Sequence, residues 1–130
     1  VGSGHLYQGA YKSFPVETDR YAQALIQYVE QNPLCAKLVK RVEDWRWSSL
    51  WRREKGSKLE KKLLSELPFE LPDDYLKSIN TISDGETLRT IRASVNKGVP
   101  FGTQKWVETM VQKFGLQSTL RGPGRPKKNN

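Results

Sequence analysis

Apolar positions recur along most of the chain at the three- to four-residue spacing of an α-helix. Tyr21, Leu25, Tyr28 and Val29 follow that period, and Thr18 or Asp19 stands where an N-cap belongs, which predicts a helix that ends when Pro33 removes a donor. A second short helical stretch, Leu34 to Val39, is expected to follow. Glu43 to Ser49 reads as a loop, with a helix starting at Ser48 or Ser49. Leu59, Leu63, Leu64 and Leu67 set a helical period among lysines until Pro68 to Pro72 breaks it. Asp73 or Asp74 can cap a short helix through Ile79. Ser83 and Glu86 have capping-box spacing before a helix with Leu88, Ile91 and Val95 that stops at Gly98. Thr103 is placed to cap a last helix carrying Trp106, Val107, Met110, Val111 and Phe114, closed by Gly115. The exception is His5 to Val16, where aromatic and β-branched residues flank Gly9 and predict one or two short strands with a turn or bulge. The expected fold class is therefore mainly α with a short N-terminal β element. Beyond Leu120 the pattern ends and the tail is expected to be disordered until it meets a partner.

The composition narrows the function classes. With one cysteine and one histidine in 130 residues, an intramolecular disulfide, a zinc ribbon and a paired-histidine metal site built from this chain alone are excluded. No run approaches the roughly 18 apolar residues of a membrane span, and the first residues lack the pattern of a signal peptide. The expectation is a cytoplasmic, nucleoid-associated protein with no membrane partner.

The net charge of +8 is not spread evenly. Residues 37 to 62 hold ten basic and four acidic groups, and residues 116 to 130 hold Arg121, Arg125, Lys127 and Lys128 with no acid. The remaining segments are each slightly negative. Clustered cations are what a phosphate backbone requires, because each neutralised phosphate releases condensed counterions. A solvated helix face would give the same middle cluster. Interleaving of Trp45, Trp47 and Trp51 with Arg41, Arg46, Arg52 and Arg53 suits stacking on unpaired bases with guanidinium contacts to phosphates. The same spacing suits core tryptophans with snorkelling arginines, and Trp45 and Trp47 are expected in the core, with Trp51 open. Cys35 sits in an apolar stretch and reads as buried filler.

Tyr28 and Asn32 are four apart, so a phenol and an amide share one helix face, one turn apart. A phenol is a poor nucleophile without a metal or a base, so the pair needs a third partner to do chemistry. A core tyrosine followed by an asparagine that ends the helix is the plainer reading of the same spacing.

Several runs taken together resemble a known family. Gly4-His5-Leu6-Tyr7-Gln8-Gly9, Tyr11-Lys12-Ser13-Phe14-Pro15-Val16, Tyr28-Val29-Glu30-Gln31-Asn32-Pro33, Ala36-Lys37-Leu38-Val39 and Glu43-Asp44-Trp45-Arg46-Trp47-Ser48-Ser49 are similar, in order and spacing, to the C-terminal half of the REP-associated tyrosine transposases, a group of HUH single-tyrosine transposases. The likeness continues through Pro100-Phe101-Gly102 and Gly115 to Leu120 as far as Gly124-Arg125-Pro126. It implies a DNA strand-transfer nuclease acting on single-stranded DNA beside a hairpin. In that family a helix-borne tyrosine attacks the scissile phosphate to give a 5′-phosphotyrosine and a free 3′-hydroxyl, helped by a divalent cation, Mg or Mn, on a His-hydrophobe-His pair. Tyr28 matches the nucleophile, and Asn32 matches the amide that completes the metal shell.

The resemblance also implies a division of the chain. Residues 1–50 correspond to the last strand region and tyrosine helix of a ferredoxin-like α+β domain, 51–115 to a helical DNA-binding extension, and 116–130 to a basic tail. The His-hydrophobe-His pair has no counterpart here, since His5 is the single histidine and matches a packing or DNA-contact position. The chain is thus expected to be a fragment or a decayed relative, to bind no metal alone and to be inactive alone. A non-catalytic nucleic-acid-binding module is the alternative, and a helical RNA-binding protein a third reading. Missing strands would leave an open edge and an uncovered helix face, which a homodimer could close. In the tail, Arg121, Gly124, Arg125, Pro126, Lys127 and Lys128 resemble an AT-hook, in which Gly lets the backbone lie deep in a narrow minor groove and Arg runs along its floor. Pro123 precedes Gly124 where AT-hooks have Arg. Lys12 is placed with Arg41, Arg46, Arg52 and Arg53 as a nucleic-acid contact.

Overall fold

A computed structural model describes residues 11–81 and 85–122. The architecture is mainly helical: α1 (Asp19–Cys35), α2 (Ser49–Lys55), α3 (Lys58–Lys62), α4 (Tyr75–Ile79), α5 (Gly85–Lys97) and α6 (Gln104–Lys113), with 3-10 turns at Val42–Asp44 and Gln117–Leu120. Of the expected β element over His5 to Val16, residues 5–10 with the turn at Gly9 lie outside the described residues, and Tyr11 to Pro15 form no strand. The described part of that segment contributes a single parallel bridge, Val16 to Phe101. Phe101 N–H donates to the Pro15 carbonyl (2.8 Å), and Glu17 N–H donates to the Phe101 carbonyl (3.0 Å).

Helix ends follow local chemistry with two corrections. Pro33 does not stop α1. The helix continues to Cys35 and is closed two residues later by Lys37, whose φ of 59° is left-handed, with Leu38 N–H reaching back to the Pro33 carbonyl (2.9 Å). A proline near a C-terminus forfeits one donor, and the 6→1 closure restores a bond to the turn. The helical stretch expected over Leu34 to Val39 is accordingly the end of α1 and a turn. At the other correction, the leucine period of residues 59–67 yields only the five residues of α3, and Leu59 and Leu63 are 74% and 68% exposed. With no surface to bury against, the apolar side does not extend the helix.

The other boundaries match their signals. Ser48 Oγ accepts from Trp51 N–H (3.0 Å) as the N-cap of α2. Gly98 and Gly115 carry the positive φ values that close α5 and α6. Ser83 of the expected capping box lies outside the described residues. Thr103 occupies the N-cap of α6, but its side chain makes no capping bond there. Its N–H (2.5 Å) and hydroxyl (3.1 Å) donate instead to the Glu17 carboxylate, which ties the Val16–Phe101 bridge to α6.

Two packed regions organise the chain. Val42, Leu50, Tyr75 and Ile79 form one buried cluster, with Leu34 and Leu71 against it, so the apolar core joins residues on both sides of position 50. Ile91, Phe101, Val107 and Val111 are buried around α5 and α6, and Tyr21 meets Phe101 edge-on at 5.0 Å between ring centroids.

The link from the 42–44 turn to the end of α4 is polar. Asn80 Oδ1 accepts from Val42 N–H (3.0 Å), and Asn80 Nδ2 donates to Glu43 (2.9 Å) and to the Leu76 carbonyl (2.8 Å). Arg41 pairs with the same Glu43 carboxylate. Burial raises the Glu43 pKa, but the Asn80 bond, a backbone bond and the Arg41 charge outweigh it and hold the carboxyl below its ordinary value. A depressed folded pKa gives stability that is complete above the unfolded value and is lost as pH falls through the folded one. Glu43→Gln is therefore expected to lower the melting temperature at neutral pH and to flatten the acid end of a stability-versus-pH curve. An acid limb as steep as the parent's contradicts this assignment.

Candidate nucleic-acid interface

The tyrosine helix has two unlike faces. At 3.6 residues per turn, Tyr21, Leu25, Tyr28 and Asn32 fall within about 60° of arc, whereas Gln23, Gln27, Glu30 and Leu34 lie roughly opposite and Gln31 lies on the border between the two. The polar side is the one that packs. Gln23 Nε2 donates to the Glu70 carbonyl (3.1 Å), and Gln31 Nε2 donates to the carbonyls of Ile79 (2.7 Å) and Thr81 (2.8 Å), satisfying the end of α4. Glu30 accepts from Ser49 Oγ on one oxygen and from Tyr75 OH on the other, both at 2.8 Å. Burial first, then the Glu30 charge and hydrogen bond, pushes the Tyr75 phenol well above its usual value, so it stays protonated and donates.

On the other face Tyr21, Leu25 and Tyr28 are half-buried, and Asn32 is exposed. Neither the Tyr28 hydroxyl nor the Asn32 amide hydrogen-bonds to a described residue. Between committed Glu30 and Gln31, α1 thus holds an unspent phenol and amide one turn apart.

These residues do not make a metal centre on their own. Asn32 offers one oxygen and both Glu30 oxygens are engaged. Among the described residues no group of three His, Cys, Asp or Glu side chains could hold an ion. A divalent cation of the kind the resemblance implies does not find a complete donor set among the described residues.

The basic residues separate into distinct roles. Arg41 is bound to Glu43, and Lys55 to Asp44 (2.7 Å). Arg46 is exposed and its guanidinium carbon lies 5.8 Å from the Trp47 ring and 5.9 Å from the Trp51 ring. Arg52 and Arg53 are half-buried on α2, and Arg53 lines an open hollow with Lys61 and Glu66. Lys12 is exposed in the segment before Val16, and Arg121 is exposed after the last 3-10 turn. Gly124, Arg125, Pro126, Lys127 and Lys128 lie outside the described residues.

Trp47 overturns an expectation: it is 73% exposed and no part of the core, while Trp45 and Trp51 are half-buried. The turn before α2 is held by Ser48, which donates to the Trp45 carbonyl (2.9 Å) and caps the helix, and this leaves Trp47 on the outside. Cys35 is likewise exposed, on the last turn of α1. Glu30 and Gln31 carry no motif in the sequence that marks them as anchors, yet both are buried and hydrogen-bonded. Their spacing from Leu34 is the signal that a helix side was being anchored.

No family model, curated protein or solved structure matches the chain. No helix of the described residues is long and apolar enough to cross a membrane.

Proposed function

We propose that the chain is a DNA-binding part of a REP-associated tyrosine transposase, with Tyr28 as the residue that attacks the scissile phosphate of hairpin-flanked single-stranded DNA. The observation that carries this reading is the Tyr28–Asn32 pair, which makes no side-chain hydrogen bond to a described residue, on a helix whose Gln23, Glu30 and Gln31 are engaged. The half-open stripe of Tyr21, Leu25 and Tyr28 is also what the sheet of a ferredoxin-like domain would cover.

In the proposed reaction the Tyr28 oxygen forms a bond to phosphorus. The bond from phosphorus to the 3′ oxygen breaks, and that oxygen leaves as a hydroxyl after taking up a proton. Asn32 stands one turn away, where its amide can orient a phosphate oxygen. Arg46, Arg52, Arg53 and Lys12 supply positive charge for the strand.

The test is binding and cleavage of a hairpin-flanked single strand, by this chain and by a protein that joins it to a His-hydrophobe-His strand. Cleavage by the joined protein supports the transposase. Tight binding without cleavage by either assigns the chain to a non-catalytic nucleic-acid-binding module. The tail makes a separate contribution: deleting residues 120–130 removes Arg121, Arg125, Lys127 and Lys128. Each phosphate contact on a single strand adds about −0.7 to the slope of log affinity against log salt, so the slope is expected to become shallower by about 2 to 3. An unchanged slope contradicts a role for the tail in binding.

A further inference from the structure

A groove of about 290 Å³ opens between α1 and the turn that leads into α2, bordered by Val29, Glu30, Asn32, Trp45, Trp47 and Ser48. We infer that it seats one unpaired base of a DNA single strand, stacked on Trp47, with Asn32 at the base edge. The inference rests on the reading of the chain as a single-strand binder and names the site at which the strand is held.

Its size is at the small end of sites for organic ligands, which suits one base and not a base pair. Its walls are apolar on two sides. Val29 is 57% exposed, and a large indole left mostly in water is the platform that sequence-tolerant stacking uses. Glu30 also borders the groove, its carboxylate held in place by Ser49 and Tyr75, and its negative charge disfavours a phosphate there. Phosphate has a better place outside it, at Arg46, whose guanidinium lies against the rings of Trp47 and Trp51. Base inward and phosphate outward is the order in which a single strand presents itself. Asn32 lies on both the groove and the Tyr28 stripe, and its free amide can both donate and accept at a base edge. A base seated here holds the strand one helical turn from Tyr28.

The test compares the full chain with Trp47→Ala and Trp47→Phe on two labelled probes, a short unstructured DNA oligonucleotide and an abasic strand of equal length. Because Trp47 is exposed, truncating it leaves the fold intact. Trp47→Ala is expected to weaken binding of the base-bearing strand about 5- to 100-fold, leave the abasic strand unchanged, and be largely rescued by Trp47→Phe. Equal losses on both probes, or no loss on either, overturn the inference alone. Trp47 dependence on an RNA strand of the same sequence but not on DNA overturns the ligand class. A parent chain that binds neither DNA probe overturns the proposed function and the inference together.

Discussion

Ile79→Ala is expected to lower the unfolding free energy by about 2 to 5 kcal/mol, one of the two largest effects anticipated for single substitutions in this chain. Ile79 is fully buried at the end of α4, in a cluster with Val42, Leu50 and Tyr75. Truncation leaves a cavity that the polar surroundings cannot collapse to fill. Gln31 is bonded to the Ile79 carbonyl, and Asn80 next to it is bonded to the 42–44 turn, so neighbours that might relax inward are tethered. Against a typical domain stability of about 5 to 15 kcal/mol the loss is a large fraction. Leu59→Ala is the contrast, because that side chain is exposed and should change stability by no more than about 0.5 kcal/mol. Denaturant melts of both variants check the assignment, and equal effects would place the core elsewhere.

The second large effect is catalytic. In a protein that joins this chain to a His-hydrophobe-His strand, Tyr28→Phe is expected to reduce strand cleavage by at least about a thousandfold, the scale of removing a nucleophile. The substitution deletes one oxygen, and no described residue hydrogen-bonds to it. Stability and DNA affinity should therefore stay close to the parent's, within about 0.5 kcal/mol. A loss of binding that parallels the loss of cleavage would mean that Tyr28 positions the strand and does not attack it. Asn32→Ala should be milder in cleavage than Tyr28→Phe, since an amide that orients a group can be partly replaced by water.

Local signals in the sequence carry much of the helical layout. Ser48 before Ser49, the glycine stops at Gly98 and Gly115, and the proline break at 68–72 each act within one turn, so their effect is visible without tertiary knowledge. What is not legible depends on which side of a helix finds a partner. The apolar spacing of Tyr21, Leu25 and Tyr28 suggested the buried side of α1, yet the side anchored to α2 and α4 is the polar one carrying Glu30 and Gln31. Periodicity identifies an amphipathic helix but cannot say that buried amides and carboxylates will be satisfied by carbonyls and hydroxyls 19 to 50 residues away. Thr103 illustrates the same limit, since its expected cap was replaced by a contact with Glu17 across the chain. Trp47 shows it again, because hydrophobicity alone placed it in the core while the Ser48 turn puts it outside.

The candidate site divides in a similar way. The Tyr28–Asn32 spacing is legible because four residues on a helix fix a shared face. That both groups remain unspent is a fact of the tertiary arrangement. Arg41 stood beside Arg46 as an equivalent phosphate contact in the sequence, whereas pairing with Glu43 makes it chiefly a fastening of the 42–44 turn.

Trapping the covalent product shows whether Tyr28 is the nucleophile toward DNA. The joined protein is incubated with a hairpin-flanked single strand, digested with protease, and the DNA-bearing peptide is mapped by mass spectrometry. One adduct is expected, a 5′-phosphate ester on the Tyr28 oxygen, absent from Tyr28→Phe. An adduct on another residue, or cleavage that proceeds with no protein-linked DNA, would contradict it.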